Sequence, residues 1–155
     1  MNTRLVFGFT LISLLLPASL SAEDVSTVDE KTLSQEIILP GDAVDLEDLI
    51  WTKRPVIVFA DSPNDPRFIQ QMEFIEERLE DLNDRDVIVL TDTARGEDTA
   101  LRLKLRPRGF MLVMIGKDGG VYLRKPLPWD VREISRVIDK MPMRQQEIRD
   151  RRGDS

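Results

Sequence analysis

Pro55-Val56-Ile57-Val58-Phe59-Ala60, followed by Asp61-Ser62-Pro63-Asn64-Asp65-Pro66, is the passage from which the rest of the chain can be ordered. Its first six residues are apolar throughout and do not alternate. Such a run predicts a strand covered on both faces, as in the middle of a parallel sheet. The next six are turn formers, and Asp65 before Pro66 predicts a helix N-cap and first helical position. Phe68, Met72, Ile75, Leu79 and Leu82 then recur at steps of four, three, four and three, one apolar helix face that Asn83-Asp84 stops. Asp86-Val87-Ile88-Val89-Leu90 is a second strand of the buried type. Strand, helix and strand at this spacing predict a parallel βαβ unit with a right-handed crossover.

Downstream, Phe110 to Ile115 predicts a third buried strand, and Gly116-Lys117-Asp118-Gly119-Gly120 a hairpin turn. Val121-Tyr122-Leu123-Arg124 alternates, as a strand with one wet face does, and Pro126 and Pro128 end it. Asp130 with Glu133 reads as a capping box for a helix that turns Val131, Ile134, Val137, Ile138 and Met141 inward until Pro142. Between the units, Leu101, Leu103 and Leu105 alternate with Arg102, Lys104 and Arg106, which fits an extended piece or a single helical turn. Upstream, Ile37-Ile38-Leu39 is a short apolar touch before a turn, and Asp45 caps an expected brief helix, Leu46 to Trp51. The order βαβ, connector, ββα predicts an α/β, thioredoxin-like fold: a four-stranded mixed sheet with helices on both faces.

The ends read differently. Met1-Asn2-Thr3-Arg4, an apolar run from Leu5 to Leu16 and small residues up to Ala22 predict a cleaved signal peptide over 1–22. The run is shorter than the roughly 20 residues that span a bilayer. A mobile leader is expected over 23–36, the domain over 37–147, and a frayed charged tail over 148–155. These signals place the protein in the periplasm or outside the cell, with no membrane anchor once the signal is cut.

The chain has 155 residues, no cysteine and no histidine. That removes disulfide exchange, peroxidatic thiols, thiolate or imidazole metal sites and Ser-His-Asp catalysis. Purified protein is therefore expected to show no thiol-dependent peroxidase or disulfide-reductase turnover, and a fold indifferent to reductant. Assays with peroxide or insulin plus a thiol donor check the first expectation. A net charge of −6 and a pI near 4.8 argue against a nucleic-acid partner.

In this fold the working loop follows the first βαβ strand. Here it is Asp61 to Pro66, where Pro63 and Pro66 stand near the positions that carry a thioredoxin's two cysteines. Met111 stands near the slot of the thioredoxin cis-proline, and the nearest proline is Pro107. The segments Asn83-Asp84-Arg85-Asp86-Val87, Gly116-Lys117-Asp118-Gly119, Arg124, and Ile138-Asp139-Lys140-Met141-Pro142-Met143-Arg144-Gln145-Gln146-Glu147 resemble the P-DUDES family of uncharacterised thioredoxin-like domains. The most specific part is Asp139 to Arg144. The resemblance covers about Arg54 to Glu147 and implies an exported thioredoxin-like domain, without a settled activity.

Several residues are candidates for function. Lys117, Arg124, Arg144 and Arg108 are candidate binding residues, whereas Arg85, Asp86, Asp118 and Asp139 are candidates for a structural polar network tying the last helix to the sheet. Arg102, Lys104, Arg106 and Arg108, if extended, share one face and form either an anion site or an edge that discourages strand pairing. Asp61, Asp65 and Asp92, at one sheet edge, are the acid–base alternative, against which stands the ordinary use of Asp in caps and turns. Met111, Met114, Met141 and Met143 read as core filling rather than a copper site. No cofactor and no metal are expected. The functional reading is a binding or interaction module with a protein partner, its oligomeric state open; the alternative is a thiol-independent enzyme using the edge carboxylates.

Overall fold

The computed structural model describes residues 31–153, so the signal peptide expected over 1–22 and the leader up to residue 30 lie outside the described residues. Five strands form one sheet: β1 (Ile38–Pro40), β2 (Arg54–Phe59), β3 (Val87–Asp92), β4 (Met111–Ile115) and β5 (Val121–Lys125). Their order is β1-β3-β2-β4-β5. β1, β3 and β2 run parallel, β4 is antiparallel to β2, and β5 to β4. The helices are α1 (Pro66–Glu76), α2 (Leu79–Asn83), α3 (Ala100–Leu105), α4 (Val131–Asp139) and α5 (Pro142–Gly153).

β2 is buried along its whole length, because both of its faces are covered. Val56 and Val58 pack with Ile75, Leu79, Leu82, Ile134 and Ile138 under α1, α2 and α4. Ile57 and Phe59 point the other way and pack with Leu49, Leu90, Leu101 and Leu105 under the 42–49 segment and α3. A non-alternating apolar strand is what two such covers require. The β2-α1-β3 unit joined to β4-β5-α4 across this sheet is the thioredoxin-like arrangement.

Several local expectations are corrected. The sheet has a fifth strand, since Ile38 to Pro40 pairs in parallel with Val89 to Thr91, and three residues are too few for periodicity to reveal. Residues 31–37 are helical rather than part of a mobile leader, with Ile37 buried and Leu33 packed on the core. Leu46 to Trp51 is a series of turns closed by bonds such as Leu49 N–H to Leu46 C=O (3.3 Å), not a helix. The expected single helix from Phe68 to Leu82 breaks at Arg78 (φ −143°, ψ 41°), so Ile75 and Leu79 are buried while Phe68 and Met72 are only partly so. Gln71, which is not one of the five apolar face residues, is buried, and its side-chain amide exchanges two hydrogen bonds with the backbone of Trp129 (2.7 and 3.0 Å). The tail expected to fray is helical to Gly153. Among the described residues no helix is long and apolar enough to cross a membrane.

The ambiguous connector resolves as α3, capped by the Thr99 hydroxyl on the Arg102 N–H (3.1 Å). The helix puts Arg102 and Lys104, two residues apart, on different faces, and Arg106 lies beyond its end, so the shared basic face does not form. Arg106 ends α3 in the left-handed region (φ 48°, ψ 58°) with an exposed side chain. Glycine adopts that conformation without the Cβ penalty. Arg106→Gly is therefore expected to stabilise the fold by about 0.5–1 kcal/mol, read as a rise in the urea midpoint at unchanged slope.

Candidate functional site

Two places gather chemistry, at opposite ends of the parallel strands. The first is the C-terminal edge, where α/β sheets commonly bind ligands. β1 ends at Pro40, and Gly41 N–H bonds to Thr91 C=O (2.9 Å), tying the next turn to β3. A Cβ on Gly41 would lie 2.7 Å from Leu101 Cδ1 and 3.2 Å from Thr91 O, so any larger residue here would have to shift Leu101 and push the turn back from β3. Between the 41–48 turns and the β3–α3 loop opens a cleft of about 1020 Å³. Its rim carries Asp42, Asp45, Glu47, Asp48 and Glu97, all exposed, with Lys104 as the cation on the lining. Lys104 reaches Glu47 at 3.5 Å, but both side chains are more than half exposed and the pair is screened.

Asp92, which lines the cleft, belongs to a buried ion pair. Asp92, with its side chain 3% exposed, accepts from Arg102 Nε (2.9 Å), Thr99 Oγ1 (2.6 Å) and Ala94 N–H (3.1 Å). Arg102 also donates to the Ala60 and Asp92 carbonyls (2.7 and 3.1 Å), clamping the ends of β2 and β3 together. Asp65 caps α1 through Arg67 N–H (2.9 Å) and pairs with the Arg67 guanidinium (2.8 Å). The Arg67 hydrogen bond is the main reason its carboxyl lies below the usual range. That carboxylate covers the helix N-terminus, where an outside anion would otherwise sit. Asp61 lies 4.0 Å from Arg95. The three candidate acid–base carboxylates are thus separately engaged, as cap, buried pair and surface pair. Among the described residues no group of three or more acidic side chains is placed to hold a metal ion.

The second place is the N-terminal end of β2 and β3. Arg54 opens β2 and is 1% exposed. It donates from Nη1 to Arg85 C=O and from Nη2 to Glu147 Oε1, each at 2.8 Å. Glu147 also receives Lys117 Nζ (2.9 Å) and Arg144 Nη1 (3.2 Å). Lys117 bridges to Asp86 (2.8 Å), and Arg85 holds Asp139 through both Nε and Nη2 (3.0 and 2.8 Å). Burial alone would raise the Glu147 carboxyl, but hydrogen bonds from Arg54, Lys117 and Arg144 outweigh it and hold the pKa down to about 2. The Asp139 hydrogen bonds raise Arg85 further above its ordinary value.

Against the expected roles, Arg85, Asp86 and Asp139 lie in one network, and Lys117 and Arg144, first read as binding candidates, belong to it as well. Asp118 does not: it accepts from Gly120 N–H and from the Tyr122 hydroxyl (2.7 Å) in the β4–β5 turn, and those bonds lower its pKa. Arg124 is drawn to the end of α3, donating to Leu105 C=O (2.7 Å). Arg108 is exposed beyond α3. Arg54 and Glu147 escaped the sequence reading as site residues, although a charge opening a wholly apolar strand was a usable signal. Of the acids in Gly41-Asp42-Ala43-Val44-Asp45-Leu46-Glu47-Asp48, the sequence offers Asp42 as a turn residue, Asp45 as a cap, and Glu47 and Asp48 as part of the expected brief helix, none as a site.

A family of thus far unassigned activity, the domain of unknown function DUF4174, matches residues 45–147, most of the chain. The chain belongs to the DUF4174 family. The matched span of this DUF4174 domain runs from the cleft rim at Asp45 to Glu147, and so takes in both places described above. No curated protein matches it significantly. Among solved structures it is similar to Plasmodium yoelii thioredoxin peroxidase I, at 17% identity over 66% of this chain and 80% of that one, with a TM-score of 0.47. It is also similar to the mitochondrial 2-Cys peroxiredoxin of Plasmodium falciparum, at 21% identity over 62% and 79%, with a TM-score of 0.45.

Proposed function

We propose that this DUF4174 domain is an exported binding module, and that its C-terminal-edge cleft receives a cationic segment of a protein partner. The observation that carries the reading is the cleft itself: about 1020 Å³, open, and rimmed by Asp42, Asp45, Glu47, Asp48 and Glu97 with Lys104 beside them. Such a rim raises the local concentration of basic ligands and speeds their approach. The absence of cysteine and histidine leaves the domain no thiol or imidazole with which to turn a substrate over. An enzymatic reading through Asp61, Asp65 and Asp92 has no observation in its favour, because each is already committed to a cap or a cation. The kinship with P-DUDES domains belongs to this proposal too. Asp139, Arg144 and Glu147, in the segment that carries that resemblance, sit in the charge network that fastens α5 to the sheet.

The test is a titration of a fluorescent nonalysine peptide followed by anisotropy. Saturable binding that weakens with added salt is expected. The double reversal Asp45→Lys/Asp48→Lys, at two exposed positions, should weaken it by at least about tenfold, the equivalent of about 1.4 kcal/mol. Equal binding by the double variant would remove the cleft from the account.

A further inference from the structure

The charge cluster at the far end of the sheet plays no part in that cleft, yet it is built like a receptor. Arg54, Lys117 and Arg144 converge on one carboxylate, that of Glu147, which α5 delivers. Arg54 and Arg144 are 1% and 6% exposed, so the charges that hold Glu147 are nearly dry. Arg54 Nε is moreover a buried donor without a hydrogen-bond partner, left over after Glu147 has been bound, and Arg144 Nε makes no hydrogen bond either, facing Asp139 Oδ1 at 3.6 Å. Buried donors of this kind are costly, and a ligand with more acceptor oxygens would satisfy them. Three cations, Arg54, Lys117 and Arg144, meet at the one carboxylate of Glu147, while Asp86 and Asp139 stand beside Lys117 and Arg144, and Asp81 and Asp84 lie near Arg85. The helix that brings Glu147 is held by charge more than by burial, since Arg144 is its one buried residue.

We propose that Arg54, Lys117 and Arg144 form an oxyanion receptor, for a carboxylate or phosphate group, which the chain's own Glu147 fills as a resident ligand. An outside oxyanion competes with Glu147, and α5 loosens when it wins. As a tethered ligand, Glu147 has a high effective concentration, so competition in the intact protein needs millimolar anion. Guanidinium forks suit both carboxylate and phosphate.

The experiment compares Glu147→Ala with the unaltered protein in inorganic phosphate, acetate and chloride at matched ionic strength and neutral pH. Phosphate or acetate, but not chloride, should raise the melting temperature of Glu147→Ala saturably and by more than that of the parent, and adding Arg54→Met should abolish the gain. Should Glu147→Ala fail to fold, hydrogen exchange on the unaltered protein decides: phosphate should accelerate exchange across 142–153 while the sheet stays protected. Equal gains in chloride, a gain that survives Arg54→Met, or α5 exchange unmoved by phosphate would each overturn the proposal.

Discussion

Asp92→Ala should destabilise the domain by about 3–5 kcal/mol, the range for breaking one side of a buried ion pair. The carboxylate is 3% exposed and takes three donors, one of them the Arg102 guanidinium. Removing it leaves Arg102, itself 13% exposed, with the carbonyls of Ala60 and Asp92 and the Phe59 ring but no counter-charge. The Thr99 hydroxyl loses its acceptor as well, although it still caps α3. Asp92→Asn keeps the shape but not the charge, and should fall between Asp92→Ala and the parent. Urea denaturation at neutral pH measures the difference. A loss under about 1 kcal/mol, the range of an exposed pair, would mean that the clamp between β2 and β3 is not formed. Because Asp92 lines the cleft, a partner bound there should also bind Asp92→Asn more weakly.

The second large effect is pH-dependent. Glu147 has a folded-state pKa of about 2, below its ordinary value near 4.5. The folded state therefore binds fewer protons than the unfolded chain between those values. Its contribution to stability is complete above about pH 5 and is lost as the pH falls through 4 toward 2. A shift of this size corresponds to roughly 3 kcal/mol, an order-of-magnitude figure for a side chain that is 20% exposed. Glu147→Gln never carries the charge. It should lie about 3 kcal/mol below the parent at neutral pH, and the gap should shrink to roughly half by about pH 3 and close toward about pH 2. Urea midpoints taken along that range give the answer, and a gap that stays constant with pH would show that Glu147 holds α5 by shape rather than charge.

The fold was legible because two buried strands, Val56 to Phe59 and Val87 to Leu90, and the capped helix after Asp65-Pro66 announce a βαβ unit whose handedness physics fixes. What was not legible has particular causes. β1 is three residues long and takes its identity from pairing with β3, which no local pattern encodes. α3 fitted an extended piece as well as a helical turn because Leu101 and Leu105, both buried at helical spacing, have the exposed Leu103 between them. α5 looked like a loose tail because charge, not an apolar stripe, docks it, and charge patterns do not name their partners. For the same reason Lys117 and Arg144 could be read as free for binding, when the counter-ion that claims both, Glu147, becomes a neighbour only after α5 packs. The cleft drew little notice since its acids are ordinary turn residues one by one, and only the approach of Gly41 to β3 sets them opposite the β3–α3 loop.

The most direct test of the account is an amide chemical-shift map of the folded domain titrated with the nonalysine peptide. The account predicts saturable shifts concentrated in residues 41–48 and 91–104, with the β4–β5 turn and α5 unmoved. Shifts centred instead on Arg54, Lys117 and Glu147, or none that saturate at low salt, would contradict it.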